Sequence, residues 1–119
     1  MKKTMFILLF FISTNTFAQK ALILNYDDVV KIAKGELDSS MYSGELKEFS
    51  VKNNIKGEFI MDITLHEKGK VLSVFVVSNS TGNIKSQSLL MDFLRAFVFH
   101  FKLPQGKKYK FQYDFNFPN

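Results

Sequence analysis

The side chains that could support catalysis or metal binding are few and scattered in this 119-residue chain. His66 and His100 are the only histidines and there is no cysteine, so no zinc-ligand set or paired-histidine motif is present. None of the nearby serines has a nucleophile-elbow motif around it; they lie at Ser78, Ser80, Ser86 and Ser88. We therefore expect a protein that is not an enzyme, with no catalytic residue, no metal site and no cofactor.

Two clusters of charged residues have structural explanations. Asp27 and Asp28 lie at the start of a predicted helix, where carboxylates interact favourably with the helix dipole. Lys107, Lys108 and Lys110 lie among aromatic residues, a combination that single-stranded nucleic-acid platforms also use. On a strand, however, Lys108 and Lys110 face away from the rings, and a formal net charge of +5 is modest. We expect no nucleic-acid partner.

The N-terminus resembles a secretory signal peptide. Lys2 and Lys3 precede an apolar stretch over residues 5–12, which is far shorter than the roughly 20 residues that span a bilayer. Ala18 ends a small-residue cleavage site before Gln19. This pattern predicts a signal peptide over residues 1–18 and one domain over residues 19–119, periplasmic or secreted, with no stable membrane insertion after cleavage. An uncleaved membrane anchor is the alternative.

The C-terminal stretch from Lys108 to Phe117 alternates aromatic and polar residues. Successive side chains of a strand point to opposite faces, so this period of two predicts a strand with one aromatic face. The aromatic face comprises Tyr109, Phe111, Tyr113, Phe115 and Phe117. The polar face comprises Lys108, Lys110, Gln112, Asp114 and Asn116. The aromatic face needs a partner layer, and we expect it to lie in the core.

The remaining pattern predicts an α+β domain with the element order α-β-β-α-β. An amphipathic helix begins after Asn25 and continues to about residue 48, with a possible break at Gly44. Two strands follow as a hairpin, the first from Gly57 and the second over Val71–Val77. A second helix is expected from residues 83–86 to about Phe99. We expect a three-stranded sheet with its first strand in the centre and both helices packed on one face.

The second half of the chain carries a family resemblance. The motif Gly57-x-Phe-x-Met-x-Ile is followed by a glycine turn and by an apolar strand that ends in a serine-rich stretch at residues 76–80. A helix that ends aromatic-x-aromatic comes next, and Pro104 and the alternating aromatic strand follow it. This order resembles the TonB C-terminal domain superfamily, most closely its adventurous-gliding (AgmX/PglI type) branch. Unlike that branch, the chain has no cysteine, and the branch's tryptophan-x-aromatic-proline element appears as Phe97-Val98-Phe99 or Phe99-His100-Phe101.

The resemblance implies a protein-interaction module of the cell envelope. The last predicted strand lies at a sheet edge, where unpaired backbone groups can bind an extended peptide or strand of an envelope protein by β-augmentation. The polar face of that strand, defined above, is the predicted binding site, although a solvated edge with protective charges explains the same residues. A secreted inhibitor or small apolar-ligand carrier is the alternative function, with Val71–Val77 lining a pocket. An inner-membrane helix and a proline-rich spacer are not recognisable, so energy transduction is not expected.

Overall fold

The computed structural model describes residues 21–23 and 25–118, which form an α+β domain. The predicted signal peptide and its cleavage site lie outside the described residues. The strands are β1 (Ala21–Leu22), β2 (Gly57–Leu65), β3 (Val71–Asn79), β4 (Phe101–Lys102) and β5 (Tyr109–Phe117). The helices are α1 (Tyr26–Ser43), α2 (Glu45–Lys52) and α3 (Ile84–Ala96).

The first helical segment forms two helices that separate at Gly44, as the sequence suggested. The Asn25 side chain caps α1 by accepting hydrogen bonds from the backbone N–H groups of Asp27 and Asp28. At the break, the Ser40 hydroxyl is buried and accepts a hydrogen bond from the Leu46 N–H at 2.9 Å. The prediction of two helices was therefore too coarse, because the break gives the domain three.

The predicted sheet order is confirmed. The three-stranded antiparallel sheet has the order β3-β2-β5, which places the first hairpin strand in the centre. Alternate residues of β2 face the core and are fully buried from Phe59 to Leu65, and the aromatic face of β5 packs beside them. Phe111, Phe115 and Phe117 of that face are buried, while Tyr109 and Tyr113 are half-buried. The opposite face of the sheet carries the polar residues of β5.

The second predicted helix was too long at its C-terminal end. Helix α3 ends at Ala96, and Phe97 already has extended backbone angles. From Phe97 to Leu103 the chain, here called the extended segment, is not helical and bends at His100. Phe99, Phe101 and Leu103 are buried while the residues between them are exposed. This alternation has the period of a strand, so the predicted continuation of the helix to about Phe99 was wrong. The segment also supplies β4, which pairs in parallel with β1, a pairing that the sequence did not predict.

The extended segment closes over the turn of the β2–β3 hairpin. The Phe99 N–H donates to the Gly69 carbonyl at 2.9 Å, and the Leu103 N–H donates to the Glu67 carbonyl at 2.8 Å. Gly69 has a φ of +75°, and a Cβ at this position would lie 2.3 Å from the Phe101 carbonyl oxygen. Only glycine fits this close approach without a shift of the backbone.

Candidate functional site at the free edge of β5

Along β5, the backbone N–H and C=O groups of successive residues point alternately to the central strand β2 and to an open edge of the sheet. In β2, the Glu58 N–H donates to the Thr81 hydroxyl and the Glu58 carbonyl accepts from the Ser80 N–H, so Glu58 faces the β3 side. Neighbouring residues of a strand face opposite sides, so the odd-numbered residues of β2 face β5. They are paired with the odd-numbered residues of β5. The even-numbered residues of β5 therefore point their N–H and C=O groups towards the free edge.

Four of the five predicted binding residues lie within β5 at such positions. Lys110, Gln112, Asp114 and Asn116 are exposed, on the face of the sheet opposite the core. Lys108 is also exposed but precedes the strand, which begins at Tyr109. The four residues in the strand thus combine a solvent-facing side chain with a backbone that faces the free edge. Sequence periodicity predicted the first property, whereas the second requires the register.

Helix α1 is attached to this strand by the hydroxyl groups of two tyrosines, one on α1 and one on β5. The Tyr26 hydroxyl donates to the Lys110 carbonyl oxygen at 2.7 Å, and the Tyr26 ring packs edge-on against Tyr109 with centroids 5.4 Å apart. Further along the strand, the Tyr113 hydroxyl donates to the Asp38 carboxylate. Helix α1 therefore fixes one end of the β5 edge and occupies its Lys110 carbonyl.

The Tyr113–Asp38 contact also changes the acidity of the tyrosine. Burial of the phenol, the hydrogen bond to Asp38 and the negative charges of Asp38 and Asp114 all raise the pKa of Tyr113. The hydroxyl therefore stays protonated as a donor through neutral pH. No signal in the sequence paired these residues, because they are 75 positions apart.

The outward side chains of β5 make few contacts that would hold them in place. Gln112 Nε2 donates to the Asp62 carboxylate of the central strand at 3.3 Å. Across the same face Asp114 is opposite Ile60 and Asn116 is opposite Glu58. This surface is mixed in charge and offers both donors and acceptors to an incoming strand.

The remaining candidate residues are not brought together. The Glu36 carboxylate accepts hydrogen bonds from the His100 N–H at 3.0 and 3.2 Å, and it lies 3.0 Å from the His100 ring Nδ1. This contact fastens the extended segment to α1. Ser86 is buried as part of the α3 N-terminal turn, and Ser80 contacts Glu58. In the part of the chain that the structure describes, no cluster of three potential metal ligands occurs.

Clefts open beside the helices of the domain, and one of them reaches the polar face of β5 at Asn116. A cleft of about 820 Å³ lies between α1 and the extended segment and includes Glu36, Ser39 and His100. A second of about 440 Å³ lies at the C-terminal end of β5 beside Tyr42 and Val51, and a third of about 380 Å³ lies between α2 and α3. None of the three is lined by residues 71–77, the stretch that the ligand-carrier alternative requires.

Comparisons with known proteins give no relative from which a role could be transferred. A scan against protein-family models, a search of curated proteins and a search of solved structures each found no match for this chain. Among residues 21–23 and 25–118, no helix has both the length and the apolar character needed to cross a membrane.

Proposed function

We propose that this chain is an exported, non-catalytic protein-interaction module that binds an extended segment of an envelope protein by β-augmentation at the free edge of β5. The observation that carries the proposal is that, in the part of the chain that the structure describes, β5 is a nine-residue edge strand paired only with β2. Its even-numbered residues direct backbone donors and acceptors outwards, which is the arrangement that strand addition uses. The element order and strand order are compatible with a TonB C-terminal-like domain and support this proposal.

The binding segment of the edge begins after Lys110. The Lys110 carbonyl is already the acceptor for the Tyr26 hydroxyl, so an incoming strand pairs most easily with Gln112, Asp114 and Asn116. Specificity would come from the side chains on the outer face, since alternate residues of the added strand lie beside those of β5. Lys108 and Lys110 attract an acidic residue of the partner, whereas the Asp114 carboxylate accepts hydrogen bonds from donors of the partner.

A proline at position 112 tests this edge with little cost to the fold. The Gln112 N–H points to the free edge, so Gln112→Pro removes a donor for the partner and the exposed side-chain hydrogen bond to Asp62, but no backbone hydrogen bond of the sheet. The matched control is Asp62→Pro. Asp62 lies in the central strand, and its N–H faces β3. We expect Gln112→Pro to keep the parent's circular dichroism spectrum, and Asp62→Pro to lose about 3 kcal/mol or more of folding stability.

Affinity capture from the envelope fraction of the exporting organism then measures function. The parent and Gln112→Pro serve as paired baits, and an Ile84→Ala bait, altered at an exposed side chain of α3 outside the three clefts, serves as a folded control. A protein retained by the parent and by Ile84→Ala but lost from Gln112→Pro supports the proposal. Equal retention by all three folded baits would exclude the β5 edge as the binding surface.

Charge reversal tests the end of the same strand. Lys108→Glu and Lys110→Glu replace exposed side chains, so their effect on folding should stay within about 0.5 kcal/mol. Binding of an acidic partner segment should weaken and should lose part of its salt dependence. A partner whose affinity does not change in the folded double variant does not use these lysines.

A further inference from the structure

The cleft of about 440 Å³ at the C-terminal end of β5, here called the end cleft, has an apolar lining that is partly open to solvent. It lies where the last turn of α1, helix α2, the turn after α2 and the end of β5 meet. Ile55 and Phe117 line it as buried residues, whereas Tyr42 and Val51 line it with 82% and 73% of their surfaces exposed. Exposed apolar side chains beside a concave surface are typical of places where another molecule binds.

The charged side chains that line the end cleft are both cations. They are Lys47 and Lys56, and no Asp or Glu lines this cleft within the described residues. Neither lysine has an ion-pair partner in the part of the chain that the structure describes. The other two clefts differ, because their charged lining residues are carboxylates, with His100 as the one further titratable group. The end cleft therefore favours an anionic group next to an apolar one.

Helix α1 runs alongside β5 and links the free edge to the end cleft. Near the start of the strand, the Tyr26 hydroxyl donates to the Lys110 carbonyl oxygen, which faces the free edge. Near its end, Tyr42 and Asn116 line the same cleft, and the second tyrosine contact described above lies between these two points. Sixteen helical residues span about 24 Å and six strand residues about 20 Å, so the two elements keep pace. A strand added to the edge thus reaches the end cleft as it passes Asn116.

We propose that the partner segment bound at β5 continues past Asn116 into the end cleft, where it places an apolar side chain against Tyr42 and Val51 and a neighbouring carboxylate beside the two lysines. This inference rests on the proposed function, because it names the chemistry of the same partner at one end of the bound segment. Small-molecule sites enclose most of their ligand. The end cleft instead has mostly exposed apolar side chains, which an extended chain leaving the edge would cover.

The turn that forms one wall of the end cleft is held by backbone hydrogen bonds. The Ile55 N–H donates to the Ser50 carbonyl at 2.9 Å, which closes the C-terminal end of α2. The next residue, Lys56, donates its N–H to the hydroxyl of the buried Ser86 at 3.4 Å. Binding therefore has to order side chains of this wall but not its backbone, which lowers the entropic cost of association.

Peptides selected from a random displayed library for binding to the protein serve as the probe. Among peptides that bind the parent, an acidic residue beside a large apolar one should recur at one end of the strand-forming sequence. Selection against the double variant Lys47→Gln with Lys56→Gln should lose this pair. Selection against Lys34→Gln with Lys85→Gln should keep it, because this control removes the same charge from exposed lysines outside the three clefts. A parent selection without the pair, or a pair that persists against Lys47→Gln with Lys56→Gln, would overturn the inference.

Titration calorimetry with one parent-selected peptide separates the end cleft from the edge. The Lys47→Gln with Lys56→Gln variant and, separately, Tyr42→Ala should each weaken binding about tenfold, whereas Ile84→Ala should not change it. Gln112→Pro should also weaken binding, because the same peptide pairs with the edge. If Gln112→Pro alone weakens binding, the edge binds the peptide and the end-cleft inference is wrong. If the end-cleft variants alone weaken it, strand addition at β5 is wrong, and the inference that rests on it is wrong as well.

Discussion

Replacing Phe115 by alanine should remove a large share of the folding stability of the domain. The ring is fully buried and lies between Tyr113 and Phe117, with centroids 4.6 and 6.4 Å away. Across the sheet it is opposite Phe59, which is also fully buried. Because the sheet and helices surround this position, the cavity left by the ring cannot close fully. We expect a loss of about 4 kcal/mol, within the range for a buried phenylalanine.

Urea and thermal unfolding followed by circular dichroism measure this loss. For a domain of this size, about 4 kcal/mol corresponds to a fall in Tm of roughly 15 to 30 °C. The matched control is Tyr42→Ala, which also removes an aromatic ring but from a side chain that is 82% exposed. The control should stay within about 0.5 kcal/mol of the parent. If Phe115→Ala melts with the control, the aromatic face of β5 does not form the core and the strand assignment is wrong.

Three further predictions concern other parts of the molecule. The raised pKa of Tyr113 means that the folded protein keeps a phenolic proton that the unfolded chain releases near pH 10. The contribution of Tyr113 to the free energy of unfolding is therefore fully present below about pH 10 and is lost as the pH rises further. Tyr113→Phe should flatten this fall in unfolding measured between pH 8 and 12, a span set about the ordinary tyrosine pKa, and an unchanged slope would show that Asp38 does not hold the proton. Gly69→Ala should destabilise the domain by about 2 kcal/mol or more, because its Cβ would lie 2.3 Å from a backbone oxygen; an unchanged Tm would contradict the close approach. Intact-mass measurement of the exported protein should show an N-terminus at Gln19, and a membrane-bound species that keeps residues 1–18 would contradict the signal-peptide prediction.

The elements with a clean hydrophobic period could be predicted from the sequence. The alternation in β2 and β5 specifies both the strands and their buried faces, and the Asn25 cap specifies where α1 begins. Few topologies are allowed for a hairpin that is followed by a helix and a third strand, so the element order also predicted the central position of β2.

The errors arose where two periods overlap. Residues 97–103 continue the apolar character of α3, yet they alternate with a period of two, and the helix was predicted to continue to about Phe99. Their true conformation depends on contacts with Gly69 and Glu67, which are distant in sequence. The same reason explains why Tyr26 and Asp38 were missed as partners of β5. Long-range pairs of single polar groups leave no periodic trace in a sequence.

The sequence predicts which side chains of β5 lie on the outer face of the sheet. It does not predict that their backbone groups lie at a free edge. Periodicity places Lys110, Gln112, Asp114 and Asn116 together on one side of a strand. Whether their backbones bond to a neighbouring strand or face solvent depends on the register, which only the pairing of β2 with both of its neighbours supplies.

Amide hydrogen exchange along β5 tests the central claim most directly. The protein is measured alone and then with a peptide selected for binding to it from a random displayed library. In the free protein, the amides of Phe111, Tyr113 and Phe115 should exchange slowly because they bond to β2, whereas those of Gln112 and Asp114 should exchange quickly. Bound peptide should slow Gln112 and Asp114 by about tenfold or more and leave β3 unchanged. Slow exchange of both residues in the free protein, or protection elsewhere on the domain with none at these two amides, would contradict binding at the free edge of β5.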